Sequence, residues 1–275
     1  MMKQDKDVCV ITGGGSGIGF ATAKRMGKQG LHLILASRTK SKLEEAVRKL
    51  NAMNIEAEVC VCDLCDWESV QALAQTAASR GKVTTVIHIA GMSPHMGDAQ
   101  KIMEGNAMGT IYIHDAFYHV IEPGGCLIDT SSMSAYMVPK MIMPVRAFKL
   151  SHTDREKFLK KMMSRVNLFP KKLRAGVAYG ISKYFVIWFA KAEALRFGER
   201  NVRVLSITPG NFDTPMGELE KDEAQSYIRY NAIKRVGNPN EIATLYASCA
   251  NPAIGYLTGT DIICDGGCIA GRATA

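Results

Sequence analysis

The stretch that decides the fold is VCVITGGGSGIG, from Val8 to Gly19. Its first five residues are apolar or β-branched and typical of a buried strand, and the glycines that follow predict a tight turn. An amphipathic stretch from Phe20 to Gln29 comes next and predicts a helix. Strand, glycine turn and helix in this order indicate a dinucleotide site, because the glycines let backbone approach a pyrophosphate at the helix N-terminus.

The rest of the sequence alternates in the same way between short apolar runs and amphipathic stretches. The predicted strands are Val8–Thr12, Leu31–Ala36, Ile55–Cys62, Val83–Ile89, Cys126–Asp129, Val202–Ile207 and Thr260–Cys264. The predicted helices include one from Gly105 to His119, opening near Asn106, and one from Tyr179 to Gly198. Continuous apolar strands separated by helices predict an α/β fold, a Rossmann-type doubly wound parallel sheet. No linker or repeat interrupts the pattern, so we expect a single domain over residues 1–275.

Residues suited to binding follow the ends of five predicted strands. The glycine turn follows the first strand, and Asp63, Ala90-Gly91, Ser132 and Pro209-Gly210 follow four others. Ligands in such sheets bind beyond the carboxyl ends of the strands. We therefore expect these five loops to converge on one site.

The second predicted strand ends in Ser37 and Arg38, with Lys40 and Lys42 beyond. An acidic residue at this place would bind the ribose 2′-hydroxyl of NAD, whereas an arginine accommodates a 2′-phosphate. The sequence therefore favours NADP(H) over NAD(H), although a solvated charge cluster at a helix start would look the same.

Tyr179 and Lys183 are four residues apart, so on a helix both side chains project from one face. A neighbouring ammonium favours the phenolate, which is the tuning that a tyrosine general acid or base requires. The spacing alone is weak, since such pairs occur by chance on many helices. Its position among the five converging loops makes it a candidate catalytic pair.

Composition excludes several classes of protein. No run of apolar residues is long enough to span a membrane, and the N-terminus has no apolar stretch typical of a signal peptide. Eight cysteines occur mostly in apolar runs, and Cys60, Cys62 and Cys65 lack the partners of a zinc site. We expect buried, reduced thiols, no metal and a cytoplasmic location.

The segment from about 137 to 175 has a net charge of +9, since it holds eleven basic residues against Asp154 and Glu156, while the whole chain has a net charge of +8. The basic residues are Lys140, Arg146, Lys149, Arg155, Lys157, Lys160, Lys161, Arg165, Lys171, Lys172 and Arg174. Thr153 and Glu156 predict a capping box that opens a helix. One face of that helix is apolar: Phe158, Leu159, Met162, Met163 and Val166. Three interpretations stay open: a docked structural helix, a lid for an anionic substrate, or a surface for nucleic acid or membrane.

Taken together, these motifs resemble the short-chain dehydrogenase/reductase family over nearly the whole chain. Thr12-Gly13-x-x-x-Gly17-x-Gly19 resembles its cofactor loop, and Ala90-Gly91 resembles the end of its N-N-A-G motif. Asn106, Ser132, Tyr179 and Lys183 match its catalytic tetrad. The resemblance implies that the cofactor is bound by Thr12, Gly13, Gly15, Ser16, Gly17, Ile18, Gly19, Ser37, Arg38, Asp63, Leu64, Ala90, Gly91, Tyr179, Lys183, Pro209, Gly210, Phe212 and Thr214.

The resemblance also implies a mechanism. Tyr179 exchanges a proton with the substrate oxygen, Lys183 tunes it and binds the cofactor ribose, and Ser132 orients the carbonyl. Asn106 is implied to hold a water that connects Lys183 to solvent. Ser131 and Ser134 stay open as alternatives to Ser132.

Two departures from the family pattern stand out. His88-Ile89 replaces the two asparagines of N-N-A-G, and Ser132 and Tyr179 are 47 residues apart, far more than in most of the family. The excess is the basic segment, a layout that resembles bacterial 3α-hydroxysteroid dehydrogenase/carbonyl reductase. There the added helices cover the face by which relatives form tetramers, so the resemblance implies a homodimer here, with a tetramer as the alternative.

The sequence thus predicts an NADP(H)-dependent oxidoreductase for a ketone or secondary alcohol of an apolar substrate, a hydroxysteroid or a bile acid. The predicted lining consists of Met137, Met141, Met143, Met162, Met163 and Met216. A 3-oxoacyl thioester reductase is the alternative enzyme, and a non-catalytic NADPH-sensing regulator is the alternative of another class. We expect no nucleic-acid partner, because the basic segment lacks interleaved aromatic residues.

Overall fold

The computed structural model describes residues 6–219 and 221–274, and within them seven parallel strands form one sheet in the order β3-β2-β1-β4-β5-β6-β7. The strands are β1 Asp7–Thr12, β2 His32–Ser37, β3 Ala57–Val61, β4 Lys82–His88, β5 Ile121–Thr130, β6 Arg203–Pro209 and β7 Asp261–Cys264. The order reverses between β1 and β4, which leaves a crevice beyond their carboxyl ends. The predicted Rossmann-type α/β fold is confirmed, and the extent of the predicted single domain stays a prediction.

Helices cover both faces of the sheet. They are α1 Gly17–Gly27, α2 Lys40–Asn51, α3 Trp67–Arg80, α4 Ala99–Met103, α5 Gly109–Phe117, α6 Ser134–Met137, α7 Val145–Phe148, α8 Arg155–Val166, α9 Arg174–Gly198, α10 Pro215–Leu219, α11 Lys221–Ile228, α12 Pro239–Ala250 and α13 Cys268–Thr274. Apolar side chains of α1, α2 and α12 pack on one face of the sheet, and those of α3, α5 and α9 pack on the other.

The predicted helix at 105–119 was wrong at its start. Helix α4 begins at Ala99 and runs through a π-helical turn, Glu104–Met108, into α5, so Asn106 lies inside a helical run and does not open one. Likewise α9 begins at Arg174, five residues before Tyr179. Both helices begin earlier than predicted, because tertiary packing overrides local sequence preferences.

The basic segment contains helices α7 and α8 and three short 3₁₀ turns, and its description as an insertion stays a prediction. The predicted capping box was displaced by one residue: Asp154 is the N-cap of α8, and its carboxylate accepts a hydrogen bond from Lys157 N at 2.9 Å. The apolar face of α8 packs as expected. Phe158, Met162 and Val166 are fully buried in a cluster with side chains of α4, α5 and α9.

All eight cysteines are free thiols. Five of them are buried as predicted, but Cys65 is exposed and Cys60 and Cys264 are half-buried. Over residues 6–219 and 221–274, the helices are too short or too polar to cross a lipid bilayer. In the same part of the chain, no three His, Cys, Asp or Glu side chains are grouped to hold a metal ion.

Candidate active site

A cavity of about 520 Å³ opens at the carboxyl ends of the strands. Every residue that the sequence predicted to bind a cofactor lines it, from Thr12 in β1 to Thr214 beside α10. Ser132, Tyr179 and Lys183 line the same cavity, whereas Asn106 lies behind its wall. The parallel sheet therefore brings residues from the whole length of the chain to one place, and their individual roles stay predictions.

The glycine turn between β1 and α1 is packed too closely for side chains. A Cβ on Gly19 would lie 2.1 Å from Gly13 O, and Gly13 itself has a φ of 71°, a conformation that favours glycine. Ser16, the N-cap of α1, makes no side-chain capping hydrogen bond, so the first N–H groups of α1 are open toward the cavity. Bare backbone beside a helix N-terminus fits the pyrophosphate of a dinucleotide.

Helix α9 carries both Tyr179 and Lys183, and the Lys183 Nζ lies 5.9 Å from the centroid of the Tyr179 ring. The ammonium is buried and donates a hydrogen bond to Thr130 O at 2.9 Å. Burial lowers the pKa of Lys183 to about 8, although the Asp129 carboxylate acts in the opposite direction. The lysine thus remains mostly protonated at neutral pH, and its charge lies beside the tyrosine.

The three candidate serines have different surroundings. Ser131 donates its hydroxyl to Lys183 O at 2.8 Å and thereby fastens the end of β5 to α9. Ser132 lines the cavity, and its Oγ accepts a hydrogen bond from Ser134 N at 3.2 Å. The hydroxyl hydrogen of Ser132 is therefore free to point at a ligand.

Asn106 uses its side chain to hold the loop after β4. Its Oδ1 accepts from Met92 N at 2.7 Å, and its Nδ2 donates to Met92 O at 3.0 Å and to Ser182 Oγ at 3.1 Å. Ser182 precedes Lys183 in α9. The π-helical turn thus places Asn106 between the loop after β4 and helix α9, and π-bulges are frequent at functional sites.

His88 is buried at the end of β4, next to the cavity-lining residues Ile89 and Ala90. The sequence showed only that it replaces an asparagine of N-N-A-G and indicated no role for it. Its Nδ1 lies 2.8 Å from Thr12 Oγ1 and its Nε2 lies 3.3 Å from Thr110 Oγ1. Thr12 Oγ1 accepts from Ala90 N, and Thr110 donates to Asn106 O at 2.7 Å. One assignment satisfies all of these groups: Thr12 donates to Nδ1, and the Nε2–H donates to Thr110.

The sequence also missed a buried ionic group behind Lys183. His114 Nε2 lies 2.7 Å from Asp129 Oδ2, and its Nδ1 lies 3.6 Å from Glu193 Oε2. Burial alone would lower the pKa of His114, but the two carboxylates raise it to about 9. Burial lowers the pKa of His88 to about 4, so that this ring is neutral. The two histidines are scattered in sequence, which is why no local pattern revealed them.

Methionines form much of the substrate side of the cavity, but most of them are not the predicted ones. Met137 and Met216 line the cavity as predicted, together with Met92, Met96 and Met133, which the sequence did not single out. Met143, Met162 and Met163 belong to the core cluster under α8, and Met141 is 87% exposed, so these four predictions were wrong. The apolar face of α8 is turned onto α4 and α9 and not toward the cavity.

None of the eleven basic residues of the segment lines the cavity. Instead, Arg272 in α13 reaches its rim. Its guanidinium contacts the Met137 sulfur and lies 5.9 Å from the centroid of the Tyr227 ring, and both of these residues line the cavity.

Fold and site together define an oxidoreductase with a nicotinamide dinucleotide cleft. The profile of the short chain dehydrogenase family matches residues 7–145, and that of the enoyl-(acyl carrier protein) reductase group matches residues 170–268. The chain belongs to the short-chain dehydrogenase/reductase family. Helix α8 lies in the residues between the two matches.

Known relatives match along the whole chain. The short-chain dehydrogenase/reductase bsc3 of Alternaria brassicicola is 29% identical over 266 residues, 95% of each chain. A putative ketoacyl reductase of Streptomyces coelicolor is 25% identical and covers 97% of this chain and 98% of its own. The crystal structure of a Burkholderia cenocepacia short chain dehydrogenase in complex with NADP has a TM-score of 0.77 at 22% identity, covering 95% of this chain and 97% of that one.

Proposed function

We propose that the protein interconverts a ketone and a secondary alcohol on an apolar substrate, with NADP(H) as the cofactor. The observation that carries this proposal is that Tyr179, Lys183 and Ser132 line the same cavity as the glycine turn and as five methionines, here called the methionine wall. Methionine packs adaptably against irregular apolar surfaces, so such a wall suits a rigid apolar ring system.

A bound nicotinamide would supply or accept the hydride, and the protein supplies the proton and the orientation. In the direction of reduction, Tyr179 donates its phenolic proton to the carbonyl oxygen. The Lys183 ammonium stabilises the phenolate that remains, and the Ser132 hydroxyl donates a hydrogen bond to the same oxygen as negative charge develops on it. Asn106 acts as a positioning residue through Met92 and Ser182.

The preference for NADP(H) rests on Ser37 and Arg38, which line the cavity after β2 together with Thr39 and Lys42. This end of the cavity has two cationic side chains and no carboxylate among the lining residues that follow β2. A 2′-phosphate would find charge-assisted hydrogen bonds there.

The substrate class that we propose is a hydroxysteroid or a carboxylated bile acid. Arg272 supports the second of these, because its guanidinium lies at the rim of the methionine wall, where a carboxylate on the far end of the substrate would reach it. Arg272→Ala is expected to raise KM for oxo-bile acids and to leave KM for neutral oxo-steroids unchanged.

The proposal is tested by NADPH oxidation with oxo-steroids, oxo-bile acids, acetoacetyl thioesters and quinones. Tyr179→Phe is expected to lower turnover on every ketone by a factor of at least ~100 while cofactor binding persists, because the ring remains and the proton is lost. Tyr184→Phe, one residue beyond Lys183 in α9, is the matched control. Unchanged turnover in Tyr179→Phe would disprove the mechanism.

The alternative is a 3-oxoacyl thioester reductase. It is favoured by the ketoacyl reductase among the relatives and by the match of residues 170–268 to the acyl carrier protein reductase group. Turnover of acetoacetyl thioesters with no turnover of oxo-steroids would support this alternative.

A further inference from the structure

We propose that the basic segment at about 137–175, from here on called the insertion, carries a surface that docks on an anionic lipid bilayer beside the mouth of the cavity. This surface, the docking tip, is formed by the loops at residues 139–142 and 167–173, before α7 and before α9. Its exposed apolar side chains are Met141, Leu168 and Leu173, and its exposed basic side chains are Lys140, Lys171 and Lys172.

The three apolar side chains of the docking tip are open to solvent. Met141 is 87% exposed, Leu168 is 72% exposed and Leu173 is 49% exposed, whereas the apolar face of the neighbouring helix α8 is buried. All three lysines of the tip are exposed as well. Leu168 and Leu173 belong to one short loop, and exposed large apolar residues grouped in this way mark a surface that contacts something else.

Hydrogen bonds hold the backbone of the second loop. Arg174 at the start of α9 closes the loop by donating from Nε to Phe169 O at 2.9 Å and from Nη2 to Asn167 O at 3.1 Å. Leu173 N donates to Pro170 O at 2.8 Å. The backbone is thus held by polar contacts, and Leu168 and Leu173 project from a fixed support.

The docking tip borders the cavity. Val138 and Gly176 both line the cavity, and Val138 rests on α9, where a Cβ on Gly180 would lie 2.3 Å from its Cγ2. Met141 follows Val138 by three residues, and Leu173 precedes Gly176 by three residues. Because three residues span at most roughly 11 Å, both apolar side chains lie close to the cavity wall.

The chemistry of the tip favours a lipid over a protein. Lysine is depleted in protein–protein interfaces, whereas clustered lysines are attracted to anionic headgroups. The tip contains no acidic residue. Single apolar side chains between lysines can enter the boundary between headgroups and acyl chains. An apolar substrate dissolved in the bilayer would then reach the cavity without crossing water.

Sedimentation with phosphatidylcholine vesicles, with and without phosphatidylglycerol, tests the proposal on the full chain. We expect binding to the vesicles that contain phosphatidylglycerol only, and weaker binding as salt is raised. Lys171→Ala with Lys172→Ala is expected to lower the partition coefficient by a factor of about 25, since each lysine contributes about five-fold. Leu168→Asn with Leu173→Asn is expected to lower it as well.

Matched controls lie elsewhere on the surface. Lys28→Ala with Lys191→Ala removes two exposed lysines, and Leu195→Asn changes an 83% exposed leucine of α9. All variants should turn over a water-soluble ketone like the wild type when vesicles are absent, which shows that they are folded.

Failure to bind anionic vesicles, or equal binding by the tip variants and the controls, would overturn the proposal. So would self-association of the protein alone that Leu168→Asn with Leu173→Asn abolishes, because the tip would then be a contact between copies. The vesicle assay needs no turnover, so its failure leaves the proposed ketone chemistry untouched.

Discussion

At the scale of single residues, burial and neighbouring carboxylates shift the pKa values of the buried cations at the site in opposite directions. Burial lowers the pKa of Lys183 to about 8, and Asp129 opposes this shift. Asp129 is hydrogen-bonded to His114, and the carboxylates of Asp129 and Glu193 raise the pKa of this histidine to about 9. The proton on Lys183 therefore depends on residues outside the predicted tetrad, and changes among them should be visible in the pH profile of turnover.

Arg38 is the residue that we propose to set the choice of cofactor. Arg38→Asp is expected to shift the NADPH-to-NADH ratio of kcat/KM toward NADH by at least roughly ten-fold, because a charge-assisted hydrogen bond to the 2′-phosphate is replaced by repulsion. Steady-state kinetics with both cofactors measure the ratio. Arg25→Asp, an exposed change in α1, should leave it as it is, and an unaltered ratio in Arg38→Asp would remove the support for NADP(H).

His88 is expected to position Asn106 through Thr110. His88→Leu removes the acceptor of the buried Thr12 hydroxyl and a donor to the buried Thr110 hydroxyl, so we expect a loss of about 1–3 kcal/mol in stability and a fall in kcat with a smaller change in KM. Urea unfolding and steady-state kinetics measure the two effects. His88→Asn, which restores the residue of the family motif, should recover part of kcat. A stable His88→Leu variant with normal kcat would contradict a positioning role.

At the scale of elements, α9 serves two functions through residues of adjacent turns. Tyr179 and Lys183 face the cavity, while Phe185 and Phe189 pack against the insertion. Their rings lie 5.2 Å apart, and Phe158 of α8 lies 4.8 Å from the Phe185 ring. Movement of α8 would thus displace α9, which carries the candidate catalytic pair Tyr179 and Lys183.

Phe158 is the fully buried aromatic residue by which α8 holds to α9. Phe158→Ala is expected to cost about 3–5 kcal/mol of unfolding free energy, because it removes a large side chain and leaves a cavity. The urea midpoint measures the loss, and Lys157→Ala on the exposed face of α8 should change it by less than about 0.5 kcal/mol. Equal midpoints for both variants would mean that α8 does not pack as described.

At the scale of the whole molecule, the insertion covers the α4 and α9 side, whereas the β7 edge of the sheet remains open. Tyr256 is fully exposed, and Ile254 and Ile263 are 40% and 42% exposed near that edge. Exposed apolar patches of this kind mark protein interfaces. The β7 side is therefore the face by which we expect the predicted homodimer to form.

The dimer is tested by light scattering of the eluting protein. We expect a mass of two chains for the wild type and a shift toward monomer for Tyr256→Ser, which removes apolar area from that face. Leu219→Ser, at an exposed position in α10, is the control. A tetramer, or a dimer insensitive to Tyr256→Ser, would contradict this arrangement.

Stability should be greatest near pH 6.5, where the buried histidines act together. The pKa of His88 is lower in the folded chain, about 4 against 6.5, so its contribution rises from pH 4 to 6.5. The pKa of His114 is higher in the folded chain, so the contribution of this residue is complete below pH 6.5 and falls by about 2 kcal/mol by pH 8. Urea unfolding across this range measures the curve, and a stability that keeps rising up to pH 8 would exclude a protonated His114.

The sequence by itself determined the architecture and the predicted cofactor-binding residues that line the cavity, because both depend on local patterns. Apolar runs fix strands, glycines with close backbone contacts fix the turn at Gly13–Gly19, and parallel strands must bring their carboxyl ends together. Only the tertiary structure decided which other residues surround and support these predicted residues. It placed Asn106 inside a π-helical turn, joined His114 to Asp129 and Glu193, turned the α8 methionines into the core, and brought Met92, Met96 and Arg272 to the substrate side. These contacts join residues that are far apart in the chain. They depend on burial and on how far each side chain extends, and local spacing in the sequence encodes neither.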